Sequence, residues 1–533
     1  MVAIKKKKIN MNISSWIVKI LENNGVKHIF GQPGEQILPL YVALKDSNIE
    51  HILMNHEQAA AHASDAYSRS SNKFGVCLST AGPGALNFTM AIATAFKDNV
   101  PMLIITGDNP TNIKDKDCFQ SIPINDVFKN ITFKSFNPSS SKEALDNLYL
   151  AINLLDNEPK GPIHINLSKD ILLEELENYE KVDFKVNYNY ENIEIAKKLI
   201  KDSKKPLIIA GAGVKYSKAL EKLKIFCFDK NIPISTTYHA KGIINEFDKI
   251  NLGMVGVRGS NFSNYALDNS DLIIALGCKL SERTIIDKLP INNKLIHVNI
   301  DESVLEGNCK IHGDVGTFLD KINDLTLKFN NDWMDEIYSN NVPLKVEGLD
   351  SLSLNPQIAI KEILSNYENT LFVNDAGTHT TWVTLESKLG EGSQLIYSGS
   401  FAPMGYGLPA SIGASIANQD KKTVLINGDG GFQMNLQELA VISKLNLPII
   451  ICILNNNELG IIRQYEEEFY NMESYQVKLD NPDFIGISTS YGISSSKVKT
   501  EKELKIALKE AYNVNKPYLI EIIVESENIP FPK

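Results

Sequence analysis

Residues 424–463, VLINGDGGFQMNLQELAVISKLNLPIIICILNNNELGIIR, constrain the fold more than any other stretch. An apolar run, Val424-Leu425-Ile426, breaks at Gly428-Asp429-Gly430. Phe432, Leu436, Leu439, Ala440 and Ile442 follow at helical spacing, and a second apolar run, Pro448 to Leu454, ends at Asn455-Asn456. Strand, turn, helix, strand predicts a βαβ unit whose two strand ends share one edge of a parallel sheet. Open α/β sheets bind ligands at that carboxyl edge, so GDG and NNNE are expected to meet there. Asp429 and Asn456 bring the hard oxygens that Mg2+ prefers, with phosphates completing its shell. Gly428, Gly430 and Gly431 let a phosphate approach the backbone, and the helix start that follows favours negative charge. Alone, GDG reads equally as a strand-to-helix turn. Followed after 24 residues by the asparagine pair, inside a βαβ frame, it specifies a metal–diphosphate site.

A chain of 533 residues exceeds what one core supports, and roughly three domains are expected. The net charge of −10 fits a dissolved, cytoplasmic enzyme and argues against a general nucleic-acid surface. The Lys5–Lys8 run lacks the apolar segment of a signal peptide, so residues 1–10 read as a disordered terminus, with Met11 an alternative start. No stretch reaches the ~18 apolar residues of a membrane span. The six cysteines are scattered without a CxxC pair, as for buried free thiols in a reducing compartment, and a zinc site is not expected. Among 54 basic residues only Arg69, Arg258, Arg283 and Arg463 are arginines. A chain that otherwise uses lysine keeps arginine where a planar, bidentate fork is needed, although chance scatter of four residues would look the same.

The rest of the chain alternates helices and strands, which predicts doubly wound α/β domains with parallel sheets. In residues 11–180 strands are expected at Val26–Phe30, His51–Met54, Gly75–Leu78, Met102–Thr106 and Pro162–Leu167. A polar link, 174–192, leads to a central domain at 190–330 with strands at Pro206–Ala210, Pro233–Thr236, Asp271–Leu276 and Leu295–Ile300. Gly211-Ala212-Gly213 there suggests a nucleotide-type crevice, weakly as a lone cluster. A second polar stretch, 330–355, precedes the third domain, 356–533, and the first and third domains read as two copies of one architecture.

Seven segments together resemble the acetolactate (acetohydroxyacid) synthase branch of the thiamine diphosphate (ThDP) enzymes. They are GQPGEQILPLY (31–41), NHEQAAAHASDAYSR (55–69), GPGALN (82–87), GMVGVRG (253–259), PMGYGLPA (403–410), GDGGFQMN (428–435) and NNNELGIIRQY (455–465). The resemblance runs from about Met11 to the end of the chain. It implies pyrimidine-binding, central and diphosphate-binding domains, with Glu57 as the carboxylate that activates the cofactor's aminopyrimidine ring. An acid in an apolar setting suits that task, because desolvation keeps its pKa high enough to share a proton; a surface glutamate at a helix start would read the same. Asp429, Asn456 and the backbone carbonyl of Glu458 would hold Mg2+. Gly377, Thr378, His379, Gly430, Gly431 and Gly460 would flank the diphosphate, and Gly34, Gly82, Asn87 and Gln120 would line the pocket near Glu57, with Lys134 a further pocket candidate. Met404 would prop the cofactor in its bent shape, or simply pack in the core, the commoner fate of methionine. Arg283 would clamp the second substrate's carboxylate, while Gly211 and Arg258 would approach FAD. Arg69 and Arg463 would stabilise the fold around their motifs.

The implied reaction is decarboxylation of pyruvate and carboligation to a second 2-oxo acid, a step of branched-chain amino acid biosynthesis. The implied assembly is a homodimer or homotetramer with shared active sites, with a regulatory small subunit as a further partner. Lys279–Arg283 matches the family's acidic version in part, Thr378 and Tyr465 stand where Gln and Trp are usual, and Ser400–Pro403 is not the usual glycine-rich run. The acceptor 2-oxo acid and the flavin therefore stay open. So do two rivals: a decarboxylase or lyase releasing aldehyde, with Glu35 as proton donor rather than a helix-start carboxylate, and a catalytically silent regulatory copy.

Overall fold

The computed structural model describes residues 11–114, 116–157, 160–179, 188–285, 289, 294–340, 354–365 and 368–530. The terminus at 1–10 and parts of both polar links lie outside them. The chain packs into two compact units. The first comprises residues 1–186, 400–418 and 435–447, and the second 187–399, 419–434 and 448–533. No described helix is long and apolar enough to cross a membrane.

The first unit is built on six parallel strands, β1 His28–Gly31, β2 Glu50–Leu53, β3 Gly75–Ser79, β4 Met102–Asp108, β5 Lys134–Phe136 and β6 Pro162–Ser168, in the order β2-β1-β3-β4-β6-β5. The second unit carries two more parallel sheets. Strands β7 Pro206–Ala210, β8 Ile234–Thr236, β9 Asn251–Met254, β10 Leu272–Leu276, β11 Lys294–Asn299 and β12 Cys309–His312 run β9-β8-β7-β10-β11-β12. That is the dinucleotide-fold order. Strands β13 Thr370–Asn374, β14 Gln394–Ile396, β15 Lys422–Gly428, β16 Ile449–Asn455, β17 Ser494–Val498 and β18 Tyr518–Ile523 run β14-β13-β15-β16-β18-β17. The first and third sheets thus share one strand order. Central strands such as β4, β6 and β16 are buried throughout, as parallel strands covered on both faces must be.

The segment after β15 is not the single helix its spacing predicts. A turn of α-helix, Asp429–Gln433, gives way to a 3-10 turn at Leu436–Glu438 and a second short helix, Leu439–Lys444. The break coincides with the crossing of the chain from the second unit back to the first.

Within the first unit, the helix Glu57–Ser71 packs on the helix Gly407–Ala417. The Ala59–Ala63 run is fully buried, and a Cβ at Gly413 would sit 1.8 Å from the Ala63 carbonyl oxygen. The small residues of NHEQAAAHA therefore serve helix–helix approach rather than contact with a cofactor. A buried charge network locks the pair. Arg69 meets Asp65 at 2.6 Å and Asp98 at 2.8 Å, the Tyr406 hydroxyl donates to Asp65 at 2.7 Å, and the Ser400 N–H donates to Asp98 at 3.0 Å. Removing the cation would leave two desolvated carboxylates facing one another. Arg69→Met is therefore expected to cost about 3–5 kcal/mol, read as a lower denaturant midpoint for the first unit.

Candidate active site

In the first unit the carboxyl ends of β1 to β4 gather most of the implied pyrimidine-side residues. β2 ends at Leu53, and after a three-residue turn Glu57 opens its helix, with His56 as N-cap accepting from the Gln58 N–H. Glu57 is half-buried, and the Asn87 amide donates to its Oε2 at 2.8 Å. Gly84 lies against it, since a Cβ there would stand 3.1 Å from Glu57 Oε1. Burial, and then the charge of Glu57, push the Tyr41 hydroxyl well above its usual range. Gly82 adopts φ +56, and a side chain there would strike the Gln120 carbonyl at 2.3 Å, so the GPGALN turn and the Phe119-Gln120 turn are held together. Gly34 packs on Thr80 between β1 and β3, where the winding of the sheet reverses. Met404 is half-buried in a turn pinned by Asn435 Nδ2 donating to the Gly405 carbonyl at 2.7 Å. It is not spent on the core.

One expectation fails here. Lys134 opens edge strand β5 at the amino end of the sheet, exposed and opposite the Glu57 edge. Glu35 sits in the first turn of a short helix, as the helix-start reading has it, and its 65% exposed side chain pairs with Lys169 at 3.0 Å.

In the second unit the reversal point lies between β13 and β15, and it gathers the implied diphosphate residues. Thr378 caps the helix His379–Glu386. Gly377 has φ +156, and its missing Cβ is filled by the His379 ring at 2.7 Å; that ring also covers Gly428. His379 is buried, and burial, then the Asp375 carbonyl pulling the other way and the charge of Arg258, set it at about 4, so the ring is neutral. Its Nε2, and both side-chain polar atoms of Asn427, have no partner among the described residues. Gly431 lies against Asn427 and Asp375, and Gly460 against Asn456 and Thr378. The unpaired Asn427 Nδ2 and the side-chain-free glycines fit a diphosphate, an anion that would satisfy that donor and fill the cradle.

Asp429 lies at the end of β15 and is buried. Its Oδ1 accepts the Gly430 N–H at 2.9 Å, and its Oδ2 accepts the Asn457 N–H at 2.8 Å and Asn481 Nδ2 at 2.7 Å. Burial still holds its carboxyl above the usual range against those donors. A cation is the partner such a group lacks. Asn456 Oδ1 accepts the Glu458 N–H at 3.2 Å, which folds the NNNE turn on itself. The Glu458 carboxylate is committed elsewhere, to Arg463 at 2.9 Å and Lys478 at 2.7 Å. Burial works against its ionisation, but those cations and Ser526 outweigh it and hold the group below its usual value. Only the Glu458 backbone carbonyl is left to a metal. One acid, one amide and one carbonyl, completed by phosphate oxygens, make a magnesium donor set.

Comparison with known proteins bears on this arrangement. Residues 11–128 match the N-terminal TPP-binding domain of thiamine pyrophosphate enzymes, 193–322 the central domain, and 375–522 the C-terminal TPP-binding domain. The chain is 36% identical to a probable acetolactate synthase large subunit of Methanocaldococcus jannaschii, over 96% of this chain and 92% of that one. The family is settled by that match. The chain belongs to the acetolactate synthase large-subunit family. The corresponding protein of Cyanidium caldarium is 34% identical (97% of this chain, 94% of that one), and the isozyme 2 large subunit of Escherichia coli 29% (97% of each).

For a member of this family the four arginines divide cleanly. Arg69 and Arg463 are structural, and Arg463 also donates to the Glu527 carbonyl and Asn528 Oδ1, each at 2.8 Å. Gln464 exchanges hydrogen bonds with the backbone of Ile529, and Ser526 bonds Glu458, so the 526–529 segment is stitched to the metal turn. Arg258 and Arg283 have no ion pair among the described residues. Arg258 is held at φ +62, and the Arg283 carbonyl accepts the Val257 N–H at 2.8 Å, so one backbone clamp carries both. Gly211 packs tightly. A Cβ there would meet the Gly277 carbonyl at 2.3 Å and Cys278 at 2.5 Å, and Gly213 likewise abuts Gly277. The GAG run lets backbone meet backbone where this sheet reverses, between β7 and β10.

Sequence reasoning missed Asn481. Its amide joins Asp429, Asn455 at 2.9 Å and Asn457 at 3.1 Å, while its oxygen accepts from Gln433 at 2.8 Å. It lies in a polar loop with no periodicity, and only the Pro after it marks a turn. Asn481→Leu removes the donor that orients Asp429. Magnesium-dependent ThDP binding, followed by calorimetry, is expected to weaken about 10- to 100-fold, as for other residues that orient metal ligands.

Proposed function

We propose that this chain decarboxylates pyruvate and joins the two-carbon product to a second 2-oxo acid, giving an acetolactate-type product, with ThDP and Mg2+ as cofactors. The observation that carries the reading is the presence, on a chain of this family, of both the Glu57–Asn87 pair and the Asp429–Asn456–Glu458 group. ThDP supplies the electron sink for decarboxylation. Glu57, oriented by Asn87, would hold a proton at its carboxylate for the cofactor's acid–base chemistry. Asp429, Asn456 and the Glu458 carbonyl would hold Mg2+, and Gly377, Thr378, His379, Gly428, Gly430, Gly431 and Gly460 would cradle the diphosphate. Gly34, Gly82, Gln120 and Met404 shape the pocket, and Arg283 receives the acceptor's carboxylate. A silent regulatory copy has no need of the whole set.

The two groups lie in different units of the chain. A homodimer or homotetramer whose sites draw on both copies, with a regulatory small subunit, is the assembly proposed. FAD is a separable proposal that rests on the resemblance and on Gly211 and Arg258.

With ThDP, Mg2+ and pyruvate, acetolactate is the expected product. Acetaldehyde alone would move the function to a decarboxylase and bring Glu35 into the mechanism. Glu57→Gln is expected to lower turnover by about 10²- to 10⁴-fold while leaving magnesium-dependent ThDP binding in place; unchanged turnover removes Glu57 from the chemistry. Flavin bands in the visible spectrum of the purified protein are the expected mark of FAD, and a colourless protein withdraws that proposal.

A further inference from the structure

Glu438 is fully buried, and no part of the proposed chemistry uses it. It closes the 3-10 turn that follows GDGGFQMN, and within the first unit its Oε2 accepts the Asn55 N–H at 3.1 Å. The His56 N–H reaches the same carboxyl. The neighbouring Gln437 carbonyl accepts from Asn55 Nδ2 at 2.8 Å, and Gln32 Nε2 donates to the Asn55 carbonyl at 3.0 Å. Residues 54 to 56 are therefore gripped on all sides. The Met54 N–H completes the grip by donating to the Gly31 carbonyl.

This is not helix capping. A cap accepts from the second or third N–H of the helix, and here His56 Nδ1 already does so for Gln58. Glu438 instead holds the two N–H groups that precede the helix, on the residues leading directly into Glu57. A carboxyl is a costly way to satisfy two backbone donors. Burial lifts it to about 7 despite those donors, and its second oxygen has no partner among the described residues. Such an arrangement has a use where the direction of the chain must be fixed more tightly than a capped helix start fixes it.

We propose that Glu438 is a positioning residue for Glu57: by holding the Asn55 and His56 N–H groups it sets the exit direction of the Glu57 side chain. Asn87 then fixes the far end of that side chain. The inference rests on the reading of Glu57 as the cofactor-activating carboxylate, and it assigns Glu438 no contact with substrate or cofactor.

The test follows exchange of the C2 proton of enzyme-bound ThDP in deuterium oxide, by rapid quench and proton NMR, together with calorimetric ThDP binding and thermal unfolding. Wild type and Glu57→Gln are the controls. If Glu57→Gln exchanges as fast as wild type, the reading of Glu57 falls, whatever Glu438 does. Glu438→Leu, which keeps the volume and removes the acceptor, is expected to bind ThDP within about threefold of wild type yet exchange at least about tenfold more slowly, the scale of one hydrogen bond lost. Glu438→Gln, which keeps an acceptor oxygen, is expected to restore exchange to within about threefold. A folded Glu438→Leu enzyme that exchanges at the wild-type rate overturns the proposal, even if its melting temperature has dropped, because the role is then structural only. A glutamine variant as slow as leucine overturns it too. Should the leucine variant fail to fold, Glu438→Asp replaces it, with the acceptor withdrawn by one methylene. Exchange slowed about threefold or more then supports the proposal, and wild-type exchange overturns it.

Discussion

A carboxylate taken out of water must be met by donors or by positive charge, and this protein is organised around several that are. Asp65 and Asp98 share one arginine and bind two helices and the 400–406 turn into one body. Glu458 is neutralised by an arginine and a lysine, which withdraws it from metal chemistry and leaves its backbone carbonyl as the useful atom. Asp429 is different. Three N–H donors surround it, and it has no ion pair among the described residues. For the Mg2+ proposed above, that imbalance is the working feature.

Parallel topology explains why so few residues suffice. Each sheet reverses its winding at one place, and the loops that leave the two strands there diverge and open a crevice. The first sheet sets Gly34 and Thr80 at its reversal, and the third sets Gly377, His379 and Gly428. The central sheet closes the same place with glycine backbone against glycine backbone. On the function proposed here, one architecture serves acid–base chemistry in one sheet's crevice and anion binding in the other's.

The legible part of this was the part written in apolar runs and glycines. Central strands such as Pro206–Ala210 follow from hydrophobic continuity, because a strand covered on both faces cannot be polar. Some edge strands escaped for the same reason. Ser494–Val498 reads as a polar loop, because its exposed side needs no apolar residue. GDG and NNNE announced a site because glycine, acid and amide cluster in sequence there. Asn481 and Glu438 did not, since each acts through a contact with residues far away in the chain. Lys134 misled, being a plausible cation set on the wrong edge of the sheet.

The stitching of Ser526, Asn528 and Ile529 to the turn around Glu458 gives the last residues of the chain an importance that their distance from any metal ligand conceals. A protease nick just after Glu525 would remove no ligand and leave the sheet intact. It would nevertheless free Arg463 and Gln464 from half their partners and loosen the turn proposed to hold a cation. A weakened grip on that proposed cation is the symptom a frayed tail alone would produce.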